Sequence, residues 1–328
     1  MIEVLTAGAL TTVQDRGRHG CLRWGVGTAG AMDGVALAAG NVLLGNDEGC
    51  AAIEVQIFPF HVRFTGDCTF ALTGADCAAK LDGRPLMPWS AHRARAGQEL
   101  RLDAPLPGAL RASRAYLCLP GGVDVPAVLN SRSTQLRGAF GGLDGRALRR
   151  GDSLRAAADA GDIAAELGLM PPELALPLRQ DGCPAVRVLP AAEYPCYTPA
   201  SQERFWGSEW KITPQSDRYG YRLAGEALQP TAPLEMRSHG IVPGVIQVPP
   251  DGQPIVQMRD AQPTGGYPKI GTVIEADLWR LGQAPIGSRI RFVETTWEEA
   301  LDALEALQSW LRDAKRQVLL HRNTRGAA

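Results

Sequence analysis

The chain has 328 residues, 45% apolar and 21% charged, and its 34 Lys and Arg against 35 Asp and Glu leave a formal net charge of −1. That balance gives no electrostatic reason to expect a nucleic acid or an anionic membrane as partner. Glycine (37) and proline (24) are both abundant, which favours short strands and tight turns, so a mainly β fold with a few helices is expected.

The amino terminus, MIEVLTAGALTTVQDRG, has no basic segment followed by an apolar core, and no stretch reaches the roughly 18 apolar residues of a membrane helix. A cytoplasmic location is expected. The seven scattered cysteines contain no CxxC pair, so they are expected to be reduced and to act as small core residues.

The first polar cluster is TTVQDRGRHG (11–20), where Asp15, Arg16 and Arg18 surround Gly17. Its guanidiniums suit a carboxylate or phosphate, although a local ion pair explains them equally well. Residues 33–44 then carry apolar side chains at helical spacing, with Asp33 as N-cap, Asn41 as a buried amide and Gly45 as the stop. Alternating or apolar runs at 52–58, 62–66, 69–74 and 115–122 predict strands. Three glycine turns followed by alternation, at 93–102, 148–156 and 285–293, predict more. Between 119 and 142, Ser131, Arg132, Ser133 and Thr134 form a run of hydrogen-bonding side chains between glycine loops. No general base stands beside either serine, so they fit polar binding or turn capping better than a nucleophile.

Residues 156–185 are rich in alanine and proline and poor in strand formers, which predicts a linker between two β domains, 1–155 and 186–294. In the second half, strands are expected at 186–190, 244–249 and 254–258. Two clusters stand among them. PQSDRYGYRLAG (214–225) carries Arg218, Tyr221 and Arg222. A later stretch brings Gln247 and then DAQPTGGYPKIG, with Asp260, Thr264, Gly265, Gly266, Tyr267 and Lys269. Backbone N–H groups at two glycines can approach an amide, urea or carboxylate oxygen closely. His239 lies in a glycine-rich turn, where a plain surface role is the simpler expectation. A capping box, Thr296 with Glu299, opens a final amphipathic helix over 295–320. The chain lacks GxxxxGK[ST], GxSxG, HExxH and any Cys–His zinc spacing, so it is not expected to be a self-contained hydrolase of a familiar type or to hold a metal.

Ten motifs occur in order: TVQDxGR, GAMD, NxLxGN, YxxxxGGxxV, SRST, GRxLxxGD, SDRxGYRL, GVIQVPxxGQPI, DxQxTGGYPKI and ADLxxxxQ. Together they resemble the family of 5-oxoprolinase C-type subunits. This is the KipA-type group, also called biotin-dependent carboxyltransferase family or allophanate hydrolase subunit 2-like, and is related to the carboxyltransferase region of urea carboxylase. The resemblance implies two cyclophilin-like β-barrel halves in one chain. It also implies a complex with the KipI-like B-type and the A-type subunits of 5-oxoprolinase. That complex uses ATP to open the lactam of 5-oxo-L-proline to L-glutamate, the chain alone being inactive.

On that resemblance, Tyr267, Lys269 and Asp260 are the expected catalytic residues. Asp15, Arg18, Ser131, Arg132, Arg218, Tyr221, Arg222, Gln247, Thr264, Gly265 and Gly266 are the expected substrate-binding set. Two alternatives stay open: carboxyl transfer to urea or a related amide with biotin carried on another chain, and a non-catalytic regulator that binds a KipI-like protein. The sequence departs from the family at Asn130 (for glycine), Tyr219 (for methionine) and Pro263 (for threonine), each at an edge of these motifs.

Overall fold

A computed structural model describes residues 1–106, 112–159 and 167–325. Two compact units emerge. The first comprises 1–18, 29–175 and 308–328, the second 19–28 and 176–307.

The first unit holds β1 (Ile2–Thr6), β2 (Thr12–Gln14), β3 (Ala52–Val55), β4 (Phe60–Phe64), β5 (Cys68–Gly74), β6 (Lys80–Leu81), β7 (Arg84–Pro85), β8 (Ser90–Ala94), β9 (Glu99–Leu102), β10 (Ala115–Cys118) and β11 (Ser153–Leu154). They form a six-stranded sheet, β11-β1-β4-β9-β6-β7, and a five-stranded sheet, β2-β3-β10-β5-β8. Alternation does the sorting. In β4, Phe60, Val62 and Phe64 are buried while His61 and Arg63 are not, and the buried set joins Ile53, Val55, Phe70, Leu72 and Leu117 of the other sheet in one core.

The second face of the five-stranded sheet carries α1 (Gly34–Leu44). Asp33 caps it as expected, its Oδ1 accepting from the N–H groups of Val35 and Ala36, and Gly45 ends it in the left-handed region at φ 67°. Every residue from Ala36 to Leu44 is buried, because residues Trp310, Leu311, Ala314 and Val318 of the C-terminal helix cover its other side. A Cβ at Gly40 would lie 2.5 Å from Cys118 Sγ, so this glycine lets the helix settle directly on β10. The GAMD motif is held from behind: Met32 N donates to Glu54 Oε2, and Asp33 N donates to Tyr116 Oη, which itself donates to Glu54.

The stretch expected as a linker is partly built into this unit. Ala91 N donates to Leu167 O and Leu169 N to Trp89 O, Leu169 joins the α1 core, and α2 (Pro172–Ala175) follows. Residues 160–166 of that stretch lie outside the described residues.

Near β11, Asp152 accepts from Arg146 Nη1 at 2.7 Å, Arg146 Nη2 at 2.8 Å and Arg149 N at 2.8 Å. The Arg146 guanidinium holds this carboxyl below the usual carboxylate range, and the Arg149 N–H adds to the effect. A carboxylate with a depressed folded pKa stabilises the fold above its unfolded pKa of about 4, and that contribution disappears as pH falls through the folded value. Asp152→Asn is therefore expected to lower the urea midpoint at pH 7, with the gap to wild type closing in acid. A gap that is constant down to pH 2 would show the pair to be thermodynamically idle.

The second unit holds β12 (Arg179–Gln180), β13 (Cys183–Pro190), α3 (Pro199–Gly207), β14 (Trp210–Ile212), β15 (Gly220–Ala224), β16 (His239–Gly240), β17 (Val245–Gln247), β18 (Ile255–Gln257), β19 (Thr264–Gly265), β20 (Lys269–Val273), α4 (Leu278–Gln283), β21 (Arg289–Glu294) and the start of α5 (Trp297–Arg325). Seven of these strands run β13-β20-β17-β18-β15-β14-β21, and a parallel pairing of β13 with β21 closes the ring. This is a barrel without free edges along its closed seam. Tyr221, Val256 and Ile246 pair across three neighbouring strands on one fully buried face that fills the ring. Phe205 of α3 stacks on Phe292 with centroids 4.8 Å apart.

The helix expected over 295–320 begins at Trp297 and runs to Arg325. Its capping box is made as the sequence implies: Glu299 N donates to Thr296 Oγ1 and Thr296 N to Glu299 Oε2. All seven cysteines are free thiols. No helix among the described residues is long and apolar enough to cross a membrane.

Candidate functional site

The site is built on the outer wall of the barrel, where one irregularity decides which side chains meet. Ile246 pairs with Gly271, but the next residue, Gln247, pairs with Lys269. One extra residue in β20 therefore bulges out of register. Without it Ile270 would stand opposite Gln247; with it Lys269 turns onto the same face as Gln247. Gln257, two residues along β18 from the Gln247 partner Ile255, shares that face, and its Nε2 donates to Gln247 Oε1 at 3.0 Å.

A short ribbon covers the amide pair. β16 and β19 pair His239 with Gly265 and Gly240 with Thr264, and the chain then bends through Gly266 and Tyr267 back to β20. Gln247 Nε2 donates to Tyr267 O at 3.3 Å, and Val248 N to Pro268 O at 2.9 Å. A Cβ on Gly265 would come within 2.7 Å of Gln247 Nε2 and 3.1 Å of Ile241 Cδ1, so a side chain here must displace the Gln247 amide. Gly265→Val is expected to displace the Gln247 amide and cut substrate turnover at least tenfold, with the thermal midpoint of the chain largely kept. Full turnover in this variant would mean that the ribbon does not form the site wall.

Behind Lys269 stands a residue that no sequence motif singles out. The turn after β13 is pinned to β20 by Ala191 N donating to Ile270 O, and it brings Glu193 Oε1 to 3.4 Å from Lys269 Nζ. Both side chains are largely buried. Glu193 Oε2 and His239 Nε2 are buried without a hydrogen-bond partner among the described residues, while His239 Nδ1 lies 2.9 Å from Arg237 O. Burial and the nearby Glu193 carboxylate push the Tyr197 phenol well above its ordinary range. The ribbon and this turn thus place two amides, an ammonium, a carboxylate oxygen and an imidazole nitrogen along one wall. Such a wall can orient an amide or ureido group and respond to charge on it.

The remaining expected residues are placed differently. Asp260 is buried against Arg218 in a two-pronged pair, Arg218 Nε to Oδ2 and Nη2 to Oδ1 both at 2.9 Å. Asp260 N also donates to Arg218 O, so this pair braces the loop ends beneath the site. Tyr221 points into the barrel and is fully buried, while Arg222 next to it is exposed on the outer wall. Thr264 is exposed, and Tyr267 is 47% exposed, leaving its hydroxyl accessible.

Asp15, Arg18, Ser131 and Arg132 gather in the first unit. Asp15 Oδ1 accepts from Gly17 N and from the hydroxyls of Ser131 and Ser133, and Oδ2 accepts from Arg132 N. Arg18 is fully buried, its Nε donating to Val128 O and its Nη2 to Ser133 O, with its guanidinium 4.6 Å from the centroid of Phe140. Arg132 Nε donates to Val125 O. These groups clasp the SRST loop to the TVQD strand. The Ser131 and Ser133 hydroxyls are turned onto Asp15, the geometry of a capped turn.

A closed barrel whose Gln247–Gln257 amide pair lies under a two-stranded ribbon, in one chain with a two-sheet unit, defines the class. The chain belongs to the family described as carboxyltransferase domain, subdomain A and B, whose model matches residues 24–294. It is similar to the C-type subunit of 5-oxoprolinase from Escherichia coli K12, with 44% identity over 312 residues that cover 94% of this chain and 96% of that protein. The corresponding 5-oxoprolinase C-type subunit of Haemophilus influenzae is 42% identical over 97% of this chain and 99% of its own length. Among solved structures, the Kluyveromyces lactis urea amidolyase superposes with a TM-score of 0.86 at 26% identity over 95% of this chain, which spans only 20% of that protein.

Proposed function

We propose that this chain is the C-type subunit of an ATP-dependent 5-oxoprolinase, acting with the A-type and B-type subunits to open 5-oxo-L-proline to L-glutamate. The observation that carries the reading is the Gln247 amide held under the Gly265–Tyr267 ribbon beside Lys269. The near full-length likeness to the two 5-oxoprolinase C-type subunits supports it. A lactam presents one carbonyl oxygen and one N–H on a planar ring. Backbone N–H groups at Gly265 and Gly266 are suited to the oxygen as charge develops on it. Glu193 Oε2, buried and without a partner among the described residues, is suited to the ring N–H. Lys269 offsets negative charge on the substrate carboxylate or on a phosphorylated oxygen, and the exposed Tyr267 hydroxyl can pass a proton at the ring nitrogen. ATP supplies the driving force for breaking a stable five-membered amide, and its binding is assigned to the assembled complex.

The test is ATP-dependent glutamate formation from 5-oxoproline by the three co-expressed subunits. Omitting this chain is expected to abolish it, and Tyr267→Phe to lower it about tenfold or more, approaching the range of general acid–base effects. Full activity in Tyr267→Phe would remove the proton role. A second reading, carboxyl transfer from biotin on another chain to a urea-type amide, is favoured by the Gln257–Gln247 pair, whose amides offer donors and acceptors that suit a ureido group. An intact complex that is silent on 5-oxoproline but turns over urea with a biotinylated partner would select that reading.

A further inference from the structure

One face of α5 is spent inside the chain: Ala303, Leu304 and Leu307 join the cluster of Ile274 and Ala276, while Ala314 and Val318 cover α1. A second stripe is exposed throughout. Positions 301, 305, 308, 312, 315 and 319 recur at alternating spacings of four and three residues, the seam of a two-stranded coiled coil, and all six are exposed. Every helix has such stripes, and the content of this one sets it apart. Leu301 and Leu319 stand at its two ends, about 27 Å apart along the axis, and are 52% and 50% exposed. Trp297, one turn before Leu301, is 65% exposed. Single exposed leucines need no explanation, but apolar ends on one seam form a surface that water does not favour.

The charges of α5 are sorted by half, which supplies the second, independent observation. Glu298, Glu299, Asp302 and Glu305 stand in the first part with no base among them; Arg312, Lys315, Arg316 and Arg322 stand in the second with Asp313 alone against them. The helix dipole favours this order only within the terminal turns, and Asp302, Glu305, Arg312 and Arg316 lie beyond the first turn and before the last. Asp302 and Arg316 are exposed and make no ion pair among the described residues, whereas Lys315 Nζ lies 3.5 Å from Glu48 Oε1 of its own chain. Such a helix is complementary to a copy of itself run backwards. Antiparallel packing about a two-fold axis at position 310 sets Leu301 opposite Leu319 of the second copy, and Asp302 beside Arg316 of the second copy along the flank. Each pairing occurs twice by symmetry. Parallel packing would instead set Asp302 against Asp302 and Arg316 against Arg316. We propose that α5 is a self-association surface through which two copies of this chain pack antiparallel. The surface is independent of the ribbon and of the reaction assigned to it.

Sedimentation velocity of the full-length chain is the test. One helix on one helix is a small interface, so the chain is expected to pass from monomer to dimer as it is concentrated into the upper micromolar range. Leu301→Glu should weaken the dimer at least tenfold. Asp302→Arg and Arg316→Asp, made singly, should each weaken it at least threefold, because each creates two like-charge pairs. The double variant Asp302→Arg with Arg316→Asp exchanges the charges across the interface and should recover the affinity of the unaltered chain. All three positions are exposed, so the thermal midpoint of the monomer should be kept in every variant. The proposal is overturned if the chain sediments as a monomer throughout that range, if Leu301→Glu dimerises as well as the unaltered chain, or if the double variant is as weak as the single ones. It is also overturned if the chain stays monomeric while Leu301→Glu blocks assembly with other subunits, since the stripe would then belong to a different protein.

Discussion

Replacing Lys269 by alanine is expected to lower 5-oxoproline turnover by the assembled complex about 10²–10³-fold, the size of loss seen when one preorganised charge-stabilising donor is removed from an enzyme site. The argument rests on register. Only the bulge in β20 puts Lys269 on the Gln247 face, and only the turn after β13 gives it an acidic companion in Glu193. An ammonium so placed is held by a carboxylate 3.4 Å away and by limited access to water, so it need not reorganise when charge appears on a substrate. Lys269→Met, which keeps the packing of the stem, should lose the same rate with less effect on stability. Size-exclusion chromatography of the complex provides the control. If the assembly is intact and the rate is unchanged, Lys269 does not act on the substrate.

The largest effect on stability is expected at Asp260. Its carboxylate and the Arg218 guanidinium are 3% and 4% exposed, and each satisfies the other through two hydrogen bonds. Removing one member strands the other in a poorly solvated place, which costs about 3–5 kcal/mol for buried pairs. Asp260→Ala is thus expected to lower the unfolding free energy measured in urea by an amount in that range, and Arg218→Ala to do the same. The double variant should lose much less than the sum, because no uncompensated charge remains. Additive losses would show that the two residues do not work as a pair. A folded Asp260→Asn with undiminished turnover would assign Asp260 wholly to bracing the loop ends.

These two residues also show what could be read from the chain alone. Both stand in one short polar stretch, and nothing in the stretch says that Asp260 meets Arg218 while Lys269 meets Glu193. The first pairing crosses 42 residues and the second depends on a bulge. Glu193 sits in AAEYPC, a turn without chemical signature, and was legible only once β13 and β20 were side by side. Local features fared better. The Asp33 cap, the Gly45 stop and the Thr296–Glu299 box depend on neighbours within four residues and form as their spacing implies. Alternating runs such as that of β4 marked strands for the same reason. What closes the strands of the second unit into a ring is a pairing between residues about a hundred positions apart, and periodicity carries no information at that range.

That closing pairing governs how the protein can be made. The ribosome delivers β21 about a hundred residues after β13, so the seam of the second unit stays open while the intervening stretch emerges. The first unit waits longer still, since Trp310, Ala314 and Val318 are needed to cover α1. Both units are therefore completed only by residues beyond 288, and contacts this remote in sequence form slowly. A nascent or prematurely ended chain exposes an open strand edge and an uncovered apolar helix at once. Truncation before β21 should yield insoluble material rather than a folded amino-terminal fragment.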